Sequence, residues 1–410
     1  MTQKSITQQI YFVDQTSEGD HHMVFNASII KVLMLLYPAA EITGCGIKTN
    51  QESVKQLLSE DELDKINFKS IYNPKVKSGI KVLKAMNYCR KEVIRLSMFR
   101  KILRRTTAND LIFLSITTFT SFALFKFLKR FYRTKVIAVL HGDIDFIYFP
   151  TSKMERINAA VHKWIFKKKL PDFKYLLLNK IAKKSLVKDG YLKEDEVFEI
   201  DHPFTFLKSD FMLKEALVAK PVKIGHIGSM EAERKNSHYI YSLADKFREE
   251  IRNGLLQFRI AGLITPSVIK YKNDWVHEVV GNNEPDKPQY LTRSQYETEL
   301  KLLDYCIFFY PQHQYIYRAS GAVVDFINGL IPIITLKHPF FDYLFEIGGN
   351  IGFVCNDLHD MEVLLKRIAN ADPEILGQYK LQQKNIQLLQ ERFSVDAIAN
   401  DLKHQMALYF

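Results

Sequence analysis

The sequence predicts an α/β protein of two Rossmann-like, doubly wound parallel-sheet domains facing each other across a cleft. Three observations carry that expectation. The chain has 410 residues, more than one ordinary hydrophobic core accommodates. Short apolar runs alternate with amphipathic helical stretches along both halves, the pattern of parallel strands covered on both faces. Glycine and polar motifs follow directly after those runs, where ligands bind in such sheets.

In the first half, strands are expected at residues 9–13, 42–47, 66–71, 111–115, 136–140, 175–178 and 197–200, with helices between them. The segment "HPFTFLKSD", from His202, reads as the crossing to the second half. There the strands fall at 222–228, 258–263, 276–281, 305–310, 331–335 and 351–355. Helical spacing marks 238–251, 294–304, 321–328 and 361–368. The domains expected are 1–205 and 206–385, with a closing helix over 386–410 that crosses back to the first.

Hydrophobic residues make up 47% of the chain and charged residues 25%, the profile of a folded globular protein. Cys45, Cys89, Cys306 and Cys355 are far apart, which argues against a disulfide framework or a cysteine zinc site and suits a reducing compartment. The first residues lack the apolar stretch of a signal peptide. The run 111–128 is apolar but carries Ser115, Thr117, Thr118, Thr120, Ser121 and Lys126. It reads as a strand, a turn and a helix, because a span needs ~20 largely apolar residues.

The net charge of +11 points to an anionic partner: nucleic acid, a membrane surface or a phosphorylated substrate. Nucleic acid fits least. The cations lie among apolar helical positions, and no RNA-recognition or helix-turn-helix pattern appears. Segments 90–105 and 126–135 mix cations with apolar residues. Such helices lie on anionic lipid or pack their apolar face on their own sheet, cations outward in either case.

Four motifs carry candidate chemistry. In "YRASGAVVDFINGLIPIIT" (317–335), Ser320 is a candidate N-cap, and the amides of Gly321 and Ala322 sit at the positive end of a helix stopped by Gly329. A diphosphate fits there, and Asp325, four residues past Gly321, shares that helix face. The plainer alternative is a capped helix with an exposed Asp. In "GHIGSMEAERKN" (225–236), Gly228 and Ser229 end a strand, and Arg234 and Lys235 follow. The spacing is not a dinucleotide fingerprint, and a solvated charged loop is the alternative. In "VIAVLHGDIDF" (136–146), His141 and Asp143 follow a buried strand; a polar loop capping the next helix is the alternative. In "DQTSEGDHHMVFN" (14–26), Gly19, Asp20, His21 and His22 follow the first strand. Adjacent histidines diverge, so no metal pair is expected there, and two oxygens at "DID" are too few for a metal site.

The strand, loop, small residues, helix with one acid, Gly-x-x-Pro and buried strand resemble the nucleotide-sugar signature of GT-B glycosyltransferases. The closest likeness is to family 4-like enzymes of bacterial surface polysaccharide synthesis. The resemblance covers most of 222–368 and, more weakly, the first half. It implies that Asp325 holds the donor ribose and that Arg234 and Lys235 neutralise the leaving diphosphate. Gly228, Ser229, Ser320, Gly321 and Tyr317 would complete the donor site. His141 would contact the donor sugar and Asp143 serve as base, while Gly19, His21 and His22 line the acceptor side. No metal or resident cofactor is implied; the nucleotide sugar is a substrate.

The family pattern has a second acid eight residues before Asp325, where this chain has Tyr317. That departure bears on whether the anomeric configuration is retained or inverted; the helix motif is otherwise nearest the retaining group. The function implied is transfer of a sugar from a nucleotide donor to a lipid-linked or polysaccharide acceptor, in the cytoplasm at the inner face of the membrane. The alternatives are a sugar-nucleotide epimerase, a non-catalytic member of the fold, or a nucleic-acid binder.

Overall fold

The computed structural model describes residues 8–74, 81–205, 213–214, 220–281, 283–284, 287–288 and 291–410. They divide into two compact units, Met1–Thr205 with Phe393–Phe410, and Phe206–Arg392. The expected crossing segment runs past residue 205 into residues outside this description.

The first unit begins β1 (Gln9–Asp14), α1 (Met23–Leu36), β2 (Glu41–Gly46), α2 (Lys48–Lys55), α3 (Glu60–Leu63) and β3 (Ile66–Ser70). It continues α4 (Lys81–Arg105), β4 (Leu111–Ile116), α5 (Phe119–Lys129), β5 (Lys135–Leu140), α6 (Asp143–Tyr148) and α7 (Lys153–Lys167). It ends β6 (Phe173–Leu177), α8 (Lys180–Lys188) and β7 (Val197–Glu199). The sheet order is β3-β2-β1-β4-β5-β6-β7, every pair parallel. Ile10, Val13, Leu111, Ile112, Phe113, Val136 and Ile137 are buried, which is why these strands read as unbroken apolar runs.

The second unit opens with β8 (Val222–Met230), α9 (Ala232–Lys235), α10 (Tyr239–Lys246), α11 (Arg248–Arg252), β9 (Leu256–Ile264), α12 (Pro266–Ile269) and β10 (Val276–Val280). A two-strand ribbon, β11 (Asn283–Glu284) and β12 (Lys287–Pro288), precedes α13 (Arg293–Leu302) and β13 (Tyr305–Phe308). Then come α14 (Gly321–Asn328), β14 (Ile333–Leu336), α15 (Pro339–Gly348), β15 (Gly352–Cys355), α16 (Leu358–Ala369) and α17 (Pro373–Phe393). The order β10-β9-β8-β13-β14-β15 is again parallel.

In each sheet the order reverses beside the first strand, between β1 and β4 and between β8 and β13. Connections leave in opposite directions at that point, so a crevice opens at the strand C-termini. The motif loops after β1, β5, β8 and β13 all begin at strand C-termini.

Two expected helices need correction. The closing helix over 386–410 is two helices: α17 stays with the second unit, and α18 (Val395–Tyr409) belongs to the first. The break is at Ser394, whose hydroxyl caps α18 by accepting from the Ala397 amide at 3.2 Å. Gln405 then exchanges two hydrogen bonds with the Glu199 backbone, at 2.9 and 2.6 Å. The helix expected at 238–251 is interrupted at Phe247, between α10 and α11.

The basic segments also present fewer cations than their composition suggests. Lys126 and Lys129 are buried. The Lys126 ammonium donates to the Ile165 carbonyl at 2.9 Å and to the Tyr175 hydroxyl, and burial lowers its pKa to about 7. Lys129 donates to the Pro171 carbonyl at 3.1 Å. Arg95 is buried against Glu92 at 2.6 Å. No helix among the described residues is long and apolar enough to cross a membrane; 111–128 forms β4 and most of α5.

Candidate functional site

In the second unit, β8 ends beside the start of α14. Gly228 has φ +89, and a Cβ there would come within 3.4 Å of the Ala322 Cβ. Its neighbour in register is Gly262, where a Cβ would lie 1.9 Å from the Gly228 carbonyl oxygen. Two glycines side by side let the strand end close against the helix, uniting motifs that are ninety or so residues apart in sequence.

Ser320 stands at the N-cap position of α14, but its hydroxyl does not cap the helix. It is buried and pairs with the Tyr310 hydroxyl at 2.8 Å. The Ser320 carbonyl accepts from the amides of Val323 and Val324. A Cβ added at Gly321 would meet no atom within 4 Å, so the first turn borders open space. At the other end, Gly329 is right-handed (φ −77), and Leu330 takes the left-handed position at φ 53. A Cβ at 329 would fall 2.7 Å from the end of the Ile331 side chain, which would have to shift.

Lys235 ends the short helix α9. It is buried, donates to the Ser229 carbonyl at 3.0 Å and lies 5.4 Å from the centre of the Tyr315 ring. The Arg318 guanidinium lies 5.7 Å from the same ring. Burial lowers the Lys235 pKa to about 8; Glu231 opposes the shift and Arg318 adds to it. Arg234 precedes it at intermediate exposure, and Tyr317 lies in the loop between β13 and α14.

A buried relay holds this loop. His226, inside β8, donates from Nδ1 to the Ile307 carbonyl at 2.7 Å, which leaves Nε2 to accept from Ser237 at 2.8 Å. Ser237 in turn accepts from the Glu231 amide at 3.0 Å. Burial lowers the His226 pKa to about 4, so the ring is neutral at pH 7 and the bond directions are set.

Asp325 is half-buried, unlike the exposed Asp of the plainer alternative, and each of its oxygens already accepts a hydrogen bond. One oxygen accepts from Arg293 at 2.8 Å and the other from the Tyr296 hydroxyl at 3.0 Å; both donors lie on α13. Arg293 also pairs with Glu297 at 2.6 Å. A carboxylate offers about four acceptor positions, so these two bonds orient it without exhausting it.

In the first unit, the loop after β1 is tied to its surroundings. Asp14 accepts from the amides of Thr16 and Ser17, each at 3.0 Å, and from Asn26 at 2.6 Å. Asn50 donates to the carbonyls of Gly19 and His21, both at 2.7 Å. Ser53 donates to Asp20 at 2.7 Å. This holds His21 and His22 with ring centres 4.1 Å apart, and His22 is 5.2 Å from His141. Phe25 touches His141 and His202, at 5.0 and 5.1 Å.

His141 Nε2 donates to the Ser115 carbonyl at 3.0 Å. Burial, then the neighbouring His141, His21 and His202, push the His22 pKa well down. No group of three metal-ligating side chains occurs among the described residues. Asp143 is the first residue of α6; its side chain lies outside the described residues.

No protein-family model and no curated protein matches the chain. Solved structures do. TarM aligns at TM-score 0.65 and 11% identity over 98% of this chain and 99% of its own. HepE from Anabaena, in complex with UDP-glucose, aligns at 0.63 and 14%, covering 98% and 99%. The lipopolysaccharide outer core galactosyltransferase WaaB aligns at 0.60 and 13%, covering 98% and 100%. The chain has the GT-B fold.

In this GT-B chain the donor-side candidates Gly228, Ser229, Lys235, Ser320 and Gly321 converge within the second unit, with Arg234 on α9 and Tyr317 on the loop before α14. Asp325 lies one turn on and faces α13. The candidates Gly19, His21, His22 and His141 gather in the first unit. Sequence reading missed Arg318, Arg293, Tyr296 and the His226–Ser237 relay. For Arg318 a signal was present, since the residue after Tyr317 is a cation at the mouth of the same motif. For α13 none was, because nothing in "LTRSQYETEL" marks a residue aimed at a helix thirty positions later.

Proposed function

We propose that the chain is a glycosyltransferase that takes its sugar from a nucleotide-sugar donor. The observation that carries this reading is the meeting of the β8 end, buried Lys235 with Arg318, and the open first turn of α14. A diphosphate placed there would receive the amides of that turn and two cations, and it gains negative charge as the glycosidic bond breaks. HepE, with the same fold, is described with UDP and UDP-glucose, which supports the donor class. A thermal-shift panel of nucleotide sugars tests it. Ligand at ~100 times its Kd adds about 2.7 kcal/mol of apparent stability, and a panel without any shift would reject the donor reading.

Within this reading, the acceptor is a lipid-linked or polysaccharide sugar, His141 orients the transferred sugar, and the reaction retains the anomeric configuration. No metal takes part. Tyr317 then stands where a second acid is absent, and the donor phosphate takes the acceptor proton. NMR of the product anomeric proton is expected to show retention, with His141→Ala slowing turnover without changing the anomer. An inverted product would require a protein base; Asp143→Asn would then cost about 10²–10⁴-fold in kcat.

The reading also places the protein on the inner face of the cytoplasmic membrane as a peripheral protein. Phe127 and Phe131 are 50% and 68% exposed, and the Arg130 guanidinium lies 5.4 Å from each ring. Val82 and Met86 on α4 are also exposed, and no acid occurs from Lys81 to Lys91. Aromatic residues flanked by cations suit an anionic headgroup layer. On fractionation the protein is expected in the membrane pellet and released by 1 M salt, where screening shortens to ~3 Å. Release by detergent alone would refute a peripheral, charge-driven attachment.

A further inference from the structure

The first sheet leaves part of one face thinly covered. β3 is an edge strand, yet the chain must next enter β4, on the far side of β1. α4 makes that crossing. A helix is about 10 Å across, whereas three strands at ~4.8 Å spacing present a face roughly 14 Å wide. The inner half of α4 settles on the sheet through Phe99, Ile102 and Leu103, all buried. Its flank stands off from β2 and β3, and a groove of about 600 Å³ remains.

Parallel register puts Cys45 opposite Val13 and Lys69 opposite Cys45, so Tyr11, two residues before Val13, shares a sheet face with both. Tyr11 and Cys45 line the floor, Ile94 and Met98 the helix wall, and Ile71 the outer end. Lys69, Lys101 and Arg105 also line the groove, and no acid does. Burial pushes the Cys45 thiol up to about 11, so the floor carries no thiolate at neutral pH.

We propose that this groove binds an anionic amphiphile: a hydrocarbon chain lying along the Ile94–Met98 wall, with a phosphate head at Lys69, Lys101 and Arg105. Three cations without a counter-acid are complementary to a phosphate monoester, and the volume is in the range of small-molecule sites. A free phosphate would leave the apolar wall unused, and a neutral lipid would leave the cations unpaired. The groove lies within the first unit, so this inference stands or falls separately from the nucleotide-sugar reading.

Isothermal titration of the full chain with dodecyl phosphate, below its micellar concentration, tests the proposal. Dodecyl maltoside (same chain, neutral head) and inorganic phosphate (head alone) are the comparators. Dodecyl phosphate is expected to bind at least about tenfold tighter than either. Lys101→Glu with Arg105→Glu changes exposed residues only, and is expected to weaken binding by about tenfold or more with circular dichroism unchanged. Met98→Trp, which fills the groove, is expected to do the same. Equal binding of the maltoside would show a non-specific apolar surface and overturn the proposal. So would equal binding of inorganic phosphate, undiminished affinity in the double variant, or no binding of dodecyl phosphate at all.

Discussion

Lys235→Met is expected to lower turnover by about 10²–10³-fold, the usual cost of removing one fixed group that stabilises developing charge. Methionine keeps the apolar stem beside Tyr315 and removes the ammonium, so the fold is retained. The pH dependence follows from the same burial. The folded pKa is about 8 against an ordinary 10.5. Activity that needs the ammonium is therefore lost as pH rises through about 8. A bound diphosphate favours the charged form, so saturating donor should move that limit upward.

Stability runs the other way. Between about 8 and 10.5 the unfolded chain binds more protons at this lysine than the folded chain. Stability therefore falls as pH drops through that window, and the cost of the buried charge is fully present below it. Lys235→Met should flatten that part of the stability profile. A variant with full kcat, or a wild-type rate unchanged from pH 7 to 9.5, would remove Lys235 from the reaction.

Asp325→Ala is expected to weaken nucleotide binding by two charge-assisted hydrogen bonds, roughly 1.5–3 kcal/mol each. This expectation has a structural competitor, because the carboxylate already holds Arg293 and Tyr296. Removing it leaves the Tyr296 hydroxyl unpaired and Arg293 with Glu297, so some thermal stability should also be lost. The two roles separate in the readout. If Asp325 binds ribose, affinity for the nucleotide falls in molecules that are folded by circular dichroism, and Arg293→Gln, which spares the carboxylate, has a much smaller effect on affinity. If Asp325 only fastens α13 to α14, both variants lower Tm and neither changes the dissociation constant, and the ribose role fails.

The two-sheet architecture could be read from the chain because parallel strands buried on both faces need unbroken apolar residues, and Val222, Ile224, Phe258, Ile307 and Ile334 supply them. The positions of the motif loops followed as well, since each begins where such a run ends. Tertiary structure decided which motifs share a site. Gly228 meets Ala322 only because β13 pairs beside β8, a partnership no local pattern encodes. It also decided which polar groups are already engaged. Ser320 looks like a cap and bonds Tyr310; Asp325 looks open and holds Arg293; Lys126 and Lys129 look outward and are buried. A side chain's residue type sets what it can bond, but its partner is chosen by whichever element packing brings within about 3 Å.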